Sequence, residues 1–160
     1  MRMKIVLPFA AAILLSGCTA QVGEKPAAPA ADATQDGAAA LKPYADAVNA
    51  NNADALTPLV TDDITLQAPD YPEVFGRDAV IQFASEYFAT YTSHWDKTPR
   101  DFIVVGDWAF SRYGYTMTET NKADGSTRSE TGKGMLVYRR ENGGPWLVAR
   151  DAWSSDKPAS

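Results

Sequence analysis

Asp151 and Trp153 lie two residues apart near the end of the chain, in a segment whose composition predicts a β-strand. Alternate residues of a strand share one face, so the carboxylate and the indole point the same way, while Arg150 and Ala152 point the other way. If the first face lines a pocket, a buried carboxylate there could act as an acid or a base. The alternative is structural: Asp151 pairs with a neighbouring arginine and Trp153 fills the core.

The sequence holds one cysteine, Cys18, and one histidine, His94. A single chain therefore cannot form a disulfide, a zinc cluster or a Cys-His catalytic dyad. His94 lies in a Thr-Ser-His-Trp segment that predicts a loop before the sheet, and a solvated histidine is favoured there over a catalytic base. We expect no metal site and no cofactor.

The first 17 residues have the pattern of a signal peptide. Arg2 and Lys4 make a basic start, and an apolar run follows at residues 5–15. That run is too short to span a bilayer, which takes about 20 apolar residues. Residues 15–18, which include the last residue of that run, are Leu-Ser-Gly-Cys, and they resemble the lipobox of bacterial lipoproteins. The resemblance implies cleavage before Cys18, a diacylglycerol on its thiol and acylation of the freed amine, which together anchor a protein stably.

Thr19 bears on the destination. Where lipoproteins are sorted by the residue after the cysteine, aspartate retains them at the inner membrane, so the resemblance implies the outer membrane, facing the periplasm. The alternative for Cys18 is a chance cysteine or a free thiol. Residues 19–40 are rich in alanine and lack aromatic residues, so they bury too little surface to offset ordering entropy. We expect residues 18–40 to be the lipidated cysteine and a flexible tether; an alanine-rich helix is the alternative.

Composition limits what the rest can be. The 160 residues allow one domain, and 45% hydrophobic with 22% charged residues is typical of a globular protein. A net charge of -5 argues against a nucleic-acid partner, since duplex binding needs a basic face. Among the aromatic residues only Phe9 precedes Tyr44, so we expect the core to be built from residues 41–156. Residues 157–160 are expected to be a disordered tail.

Apolar residues at helical spacing predict three helices. Leu41 and Tyr44 belong to the first, over about residues 39–50, and a second short helix is expected over about 53–60, with Asp54 as a candidate cap. The clearest stripe consists of Val80, Phe83, Ala84, Tyr87, Phe88 and Tyr91. We interpret it as a helix packed on a sheet rather than as a cofactor site.

Strands follow the helices. A first strand is predicted at residues 64–67, with a loop after it at 68–75. Alternating β-branched and aromatic residues then predict strands at 102–105, 107–120, 128–140 and 146–154, with turn residues between them. Helices first and antiparallel strands after them indicate an α+β fold whose helices pack on one side of a curved sheet.

Several short runs carry a family resemblance. They read PYADAVNA at 43–50, DAL at 54–56, TDDIT at 61–65, GRDAV at 76–80 and WLVARDAWSSD at 146–156. Their order and spacing resemble the nuclear transport factor 2-like superfamily, which includes SnoaL-like polyketide cyclases and ketosteroid isomerase. The resemblance implies a cone-shaped α+β half-barrel, with a curved antiparallel sheet wrapped around one long and two short helices and enclosing a pocket. That fold hosts enzymes and non-catalytic modules, so it does not determine function.

The resemblance can be carried over residue by residue. Ketosteroid isomerase uses an aspartate base and an oxyanion hole formed by a tyrosine and a protonated aspartate. Without gaps, the tyrosine falls on Tyr44, the base on Ala68 and the second donor near Gly134 or Met135. Neither the base nor the second donor is present, so isomerase chemistry is not expected. Asp70, in the loop after Ala68, could swing toward the pocket mouth as a replacement.

Two functions stay open at this point. The favoured one is a lipid-anchored binding or accessory module whose pocket holds a small apolar ligand, or whose sheet pairs two copies. The alternative is a SnoaL-like enzyme of isomerase, cyclase or hydrolase type that uses Tyr44, Asp70 and Asp151. The candidate pocket-lining residues are Tyr44, Trp108, Asp151 and Trp153. Tyr44 could instead be a core residue that bonds a backbone carbonyl, so the deciding feature is a carboxylate beside Tyr44 in a deep pocket.

Overall fold

A computed structural model describes residues 31–156, and side chains from residue 36 onward. The predicted signal peptide at 1–17, the lipidation site Cys18, the first part of the tether and the tail at 157–160 lie outside the described residues. In the part of the chain that is described, no helix is both long and apolar enough to cross a membrane.

The predicted helices are present in the described part of the chain. Helix α1 covers Ala31–Asn49, a 3-10 helix covers Ala53–Leu59, and α2 covers Arg77–Thr90. The 3-10 helix is capped by the side chain of Asn52, whose Oδ1 accepts from the backbone N–H of Asp54 at 3.1 Å. Asp54 is therefore not the cap. It lies within the first turn of the 3-10 helix, and the capping residue is Asn52, two positions earlier.

Helix α1 begins at Ala31, so the tether prediction is wrong for residues 31–40. Gly37 is buried, and a Cβ added to it would lie 3.1 Å from the Cβ of Phe102. Alanine favours helix, and the missing side chain of Gly37 lets the helix come close to Phe102. Residues 31–40 lack aromatic side chains, but the helix docks through a small residue, and composition does not reveal a contact of that kind.

The docked start of α1 predicts a measurable effect of truncation. A chain that begins at residue 41 should melt at least about 5 °C below a chain that begins at residue 31, which corresponds to about 1 kcal/mol for a domain near this size. The reason is that the first cut removes Gly37 and the helical turns before Leu41, whereas the second keeps both. Thermal unfolding by circular dichroism measures the difference. Equal melting temperatures would contradict the packing of Gly37 on Phe102.

The C-terminal end of α1 is fixed to an edge strand by two asparagines. Asn49 donates to the Trp95 carbonyl at 3.0 Å and accepts from the Trp95 N–H at 2.8 Å. Asn51 bonds the backbone of Ser93 in the same two-way manner, at 2.9 and 2.7 Å. These bonds hold Tyr44, one turn earlier in α1, at a set position relative to the sheet.

Seven strands of the described chain form one curved, unclosed sheet. They are β1 Val60–Gln67, β2 Val74–Phe75, β3 Tyr91–Pro99, β4 Ile103–Val105, β5 Trp108–Asn121, β6 Thr127–Arg139 and β7 Leu147–Ser155. The order is β2-β1-β7-β6-β5-β3, and β4 pairs with β5. The prediction of an antiparallel sheet is wrong for one pair of strands, because β1 and β7 run parallel. No hairpin joins these two strands, so turn chemistry does not set their relative direction.

Two segments predicted as loops contain strands. Residues 68–75 include β2, and His94 lies in the middle of β3 rather than before the sheet. The His94 side chain is exposed on the outer face, with Nε2 3.3 Å from Asp96 Oδ1. The solvated interpretation of His94 is therefore correct, although the loop around it is not.

Candidate functional site

A cavity of about 480 Å³ lies between the inner face of the sheet and the two α-helices. Its wall is mainly aromatic and aliphatic, with Phe83 and Phe88 from α2 and with Trp95, Met117 and Trp153 from the strands. A second depression of about 510 Å³ lies between the 3-10 helix and α2, but it is lined largely by exposed polar side chains. The first cavity is the candidate site because buried charged groups line it.

The deepest carboxylate of this cavity is Asp151, which is only 2% exposed. Tyr44 of α1 donates its hydroxyl to Asp151 Oδ2 at 3.1 Å, and Tyr113 of β5 donates to Oδ1 at 2.9 Å. Asp151 and Trp153 both line the cavity, as strand alternation predicts. The structure therefore places a carboxylate beside Tyr44, and Tyr44 bonds this carboxylate rather than a backbone carbonyl.

Lys97 of β3 completes the group around Asp151. Its side chain is 4% exposed, and Nζ lies 3.6 Å from Asp151 Oδ2. The ammonium also lies over three aromatic rings, 5.2 Å from the centre of Tyr44, 5.3 Å from Trp95 and 4.7 Å from Tyr113. Buried charges need such partners. The expected arginine partner of Asp151 is thus corrected to a lysine from another strand.

Two glycines of β6 leave space for the side chains of two tyrosines of β5, Tyr113 and Tyr115. A Cβ added at Gly134 would overlap the ring of Tyr113, and one added at Gly132 would overlap the ring of Tyr115. Because neither position has a side chain, both rings can lie directly against the backbone of β6. Gly134, where the resemblance places the second oxyanion donor, thus contributes space, which Tyr113 uses to reach Asp151.

Burial sets the acidity of the tyrosines around Asp151. Burial raises the pKa of Tyr44 well above its ordinary value of 10, and the negative charge of Asp151 raises it further. The same two causes, in the same order, raise the pKa of Tyr113 and of Tyr138. These phenols stay protonated at any ordinary pH, so they donate hydrogen bonds but are poor sources of a proton.

We call Tyr44, Lys97, Tyr113 and Asp151 the floor cluster.

A second polar group lies nearer the solvent. Glu119 accepts from the Tyr87 hydroxyl at 2.7 Å and from Arg128 Nε at 2.8 Å. Glu130 accepts from the Tyr115 hydroxyl at 2.8 Å and lies 3.9 Å from Arg128 Nη1. Arg128 is 58% exposed, which places this group at the open end. We call these five residues the rim cluster; burial, and then the glutamate partners, raise the pKa of Tyr87 and of Tyr115.

The other predicted site residues lie outside the floor cluster. Asp70 and Ala68 line the mouth of the cavity, on the loop between β1 and β2, and Asp70 is exposed and outside the floor cluster. Met135 is exposed on the outer face of β6. The prediction that Trp108 lines the pocket is wrong: it is 37% exposed on the outer face, with the Arg139 guanidinium 5.5 Å from its ring centre. Pairing of two copies through the sheet stays a prediction.

Sequence reasoning missed Lys97, Tyr113 and the whole rim cluster. A signal for part of it exists in β5, where Tyr113, Tyr115, Met117 and Glu119 alternate with exposed residues and so share the inner face. No such signal exists for Lys97, because polar residues flank it. Its place in the cavity follows only from the pairing of β3 with β5.

The sequence pattern of the SnoaL-like domain matches residues 41–147. The chain belongs to the SnoaL-like family. No curated protein matches this SnoaL-like protein.

Solved structures resemble the SnoaL-like protein over most of its length. A ketosteroid isomerase-like protein from Erwinia carotovora atroseptica is 27% identical, with a TM-score of 0.70, covering 79% of this chain and 96% of its own. A conserved protein from Planctomyces limnophilus has 21% identity and a TM-score of 0.66, with coverages of 76% and 98%. A nuclear transport factor 2-like superfamily protein from Salmonella enterica has 15% identity and a TM-score of 0.68, with coverages of 81% and 94%. The predicted α+β cone-shaped half-barrel is confirmed.

Proposed function

We propose that this SnoaL-like protein binds a small, largely apolar ligand in its cavity, and that it does so as a lipid-anchored module of the cell envelope. The observation that carries the binding role is the floor cluster, in which Asp151 is held by two tyrosine hydroxyls and faced by an ammonium. A carboxylate with these partners has a structural role, because its oxygens are already hydrogen-bonded and its charge is already paired.

The cavity suits a small ligand in size and lining. Its volume of about 480 Å³ lies within the range of roughly 300–1,000 Å³ found for small-molecule sites. Such sites have mostly apolar walls with a few placed polar groups. Here the buried charged groups of the lining belong to the floor and rim clusters, whereas the other two carboxylates that line the cavity, Asp70 and Glu86, are exposed. An apolar ligand body would lie between them, against Trp95, Met117 and Trp153.

An acid-base enzyme is the second candidate, and the hydrogen bond between Tyr44 and Asp151 favours it. Three features weigh against it. The oxygens of Asp151 already accept from the hydroxyls of Tyr44 and Tyr113, which lowers their affinity for a further proton. The raised pKa of each phenol makes it a weak acid, and Ala68 cannot accept a proton. General acid-base catalysis needs a group whose proton affinity suits the operating pH. The binding role is therefore preferred.

Filling the cavity tests the binding role. Ala84 of α2 is buried and lines the cavity, whereas Ala79 of the same helix is exposed. We expect native mass spectrometry of the full chain, purified from its own envelope, to show a bound small molecule. Ala84→Phe should abolish the bound mass and Ala79→Phe should keep it. A protein that carries no bound mass before substitution, or keeps it in Ala84→Phe, would contradict the proposal.

The anchor rests on the signal-like start and on Cys18. We expect Cys18→Ala to stop incorporation of a palmitate analogue and to leave an unprocessed or soluble chain, because the thiol that carries the diacylglycerol is gone. Thr19→Asp is the matched control: it should keep the label while moving the protein from the outer to the inner membrane fraction. Label that persists in Cys18→Ala would show that the anchor is elsewhere or absent.

A further inference from the structure

We propose that Lys97 is the group that binds the polar end of the ligand, and that this end is a neutral oxygen acceptor, such as a carbonyl, on an apolar body. The inference rests on the proposed binding function and adds the chemical class of the ligand. Its basis is the juxtaposition of a buried ammonium, a carboxylate already held by two hydroxyls and an apolar cavity that opens onto both.

Lys97 has hydrogen-bonding capacity that Asp151 does not use up. An ammonium carries three N–H donors, and the ion pair with Asp151 Oδ2 takes at most one of them. At 3.6 Å the pair is also longer than an ordinary hydrogen bond. The ring faces of Tyr44, Trp95 and Tyr113 also lie near Nζ. They attract the positive charge but do not accept a directed hydrogen bond as an oxygen does, so N–H donors remain for a ligand in the cavity.

The side chain of Lys97 faces the cavity rather than the solvent. It is nine-tenths or more buried, yet it belongs to the cavity lining. A ligand oxygen that enters along Trp95 and Trp153 therefore meets an ammonium at the deep end of an otherwise apolar path. Hydrogen bonds to charged groups are stronger than those between neutral groups, so this contact can compensate the ligand oxygen for the water that it loses on entry.

The charges in the cavity favour a neutral ligand over an anion. Lys97 and Asp151 already balance each other, and the rim cluster adds two carboxylates, Glu119 and Glu130, against one guanidinium, Arg128. An anionic ligand would bring another negative charge next to Asp151 without a further cation to meet it, and like charges brought together in a desolvated site repel. A carbonyl oxygen accepts from Lys97 without that cost.

A matched set of probes tests this assignment. 2-Acetylnaphthalene and 2-ethylnaphthalene have nearly the same shape but differ in the carbonyl oxygen, and 2-naphthoate replaces it with a carboxylate. Their affinities for the full chain in detergent are measured by equilibrium dialysis, for the unsubstituted protein, for Lys97→Met and for Lys133→Met. Lys133 is an exposed lysine on the outer face of β6, so its substitution is the control. Comparing variants cancels each probe's partition into detergent, and affinities of different probes are compared after correction for the partition measured in detergent alone.

We expect Lys97→Met to weaken the ketone by about 10- to 100-fold, the scale of a hydrogen bond to a charged group, and to leave the hydrocarbon unchanged within about threefold. Lys133→Met should change neither, and 2-naphthoate should bind the unsubstituted protein more weakly than the ketone. Retained hydrocarbon binding shows that the cavity has folded. If Lys97→Met does not fold, Lys97→Gln, which is neutral but still donates, should weaken the ketone by several-fold.

The outcomes separate this inference from the function on which it rests. An equal loss of ketone and hydrocarbon in a folded Lys97 variant, or no loss of either, would overturn the role of Lys97 and leave ligand binding intact. Tighter binding of 2-naphthoate than of the ketone would overturn the neutral class. Failure of all three probes to bind the unsubstituted protein would overturn the binding function and the inference together.

Discussion

Asp151→Ala should lower the melting temperature of the protein by about 10 °C or more. The substitution leaves the Lys97 ammonium buried without its carboxylate and leaves the hydroxyls of Tyr44 and Tyr113 without their acceptor. Removing one partner of a buried ion pair typically costs about 3–5 kcal/mol, because the other charge stays desolvated. For a domain near this size each kcal/mol shifts the melting temperature by roughly 4 °C.

A double substitution separates the stranded charge from the lost packing. Asp151→Ala combined with Lys97→Met should melt several degrees above Asp151→Ala alone, since the uncompensated ammonium is then gone. Asp96→Ala is the control, because Asp96 is an exposed aspartate on β3 whose partner is His94, and it should change the melting temperature by less than about 2 °C. If Asp151→Ala melts within 2 °C of the unsubstituted protein, the floor cluster contributes little to stability.

Gly134→Ala should lower the melting temperature by about 5–10 °C, although it adds only one methyl group. That methyl would overlap the Tyr113 ring, including the carbon that bears the hydroxyl. The ring must then move away from β6, and its hydrogen bond to Asp151 breaks. Overpacking of this kind typically costs roughly 1–3 kcal/mol, and the free energy of unfolding from chemical denaturation measures it directly.

Gly114→Ala is the matched control within the same sheet. Gly114 lies in β5, next to Tyr113, and a Cβ there would approach only the guanidinium end of Arg100, a flexible side chain that can move aside. We expect a change below about 0.5 kcal/mol. The cost of Gly134→Ala should also largely vanish in a protein that already carries Tyr113→Ala. If Gly134→Ala lowers the free energy of unfolding by the same amount in the Tyr113→Ala protein, glycine is required there for the backbone conformation and not for the space that the Tyr113 ring occupies.

The helices and hairpins of this fold could be predicted because their signals are local. The apolar stripe of α2 repeats at the helical period. In β5, β6 and β7 residues of the two faces alternate along the strand, and the residues that connect these strands favour tight turns. The same alternation placed Asp151 and Trp153 on one face. Each of these features depends on steric preferences within a few residues, so the sequence by itself determined them.

The site was decided by contacts between distant residues. Lys97 in β3 and Asp151 in β7 are not on neighbouring strands, and they meet because the sheet between them curves and because Gly132 and Gly134 let two tyrosine rings lie across it. The parallel pairing of β1 with β7, the docking of α1 through Gly37 and the outward position of Trp108 have the same origin. Register and curvature accumulate over many residues, so no local pattern specifies them, and only the tertiary structure brings the floor cluster together.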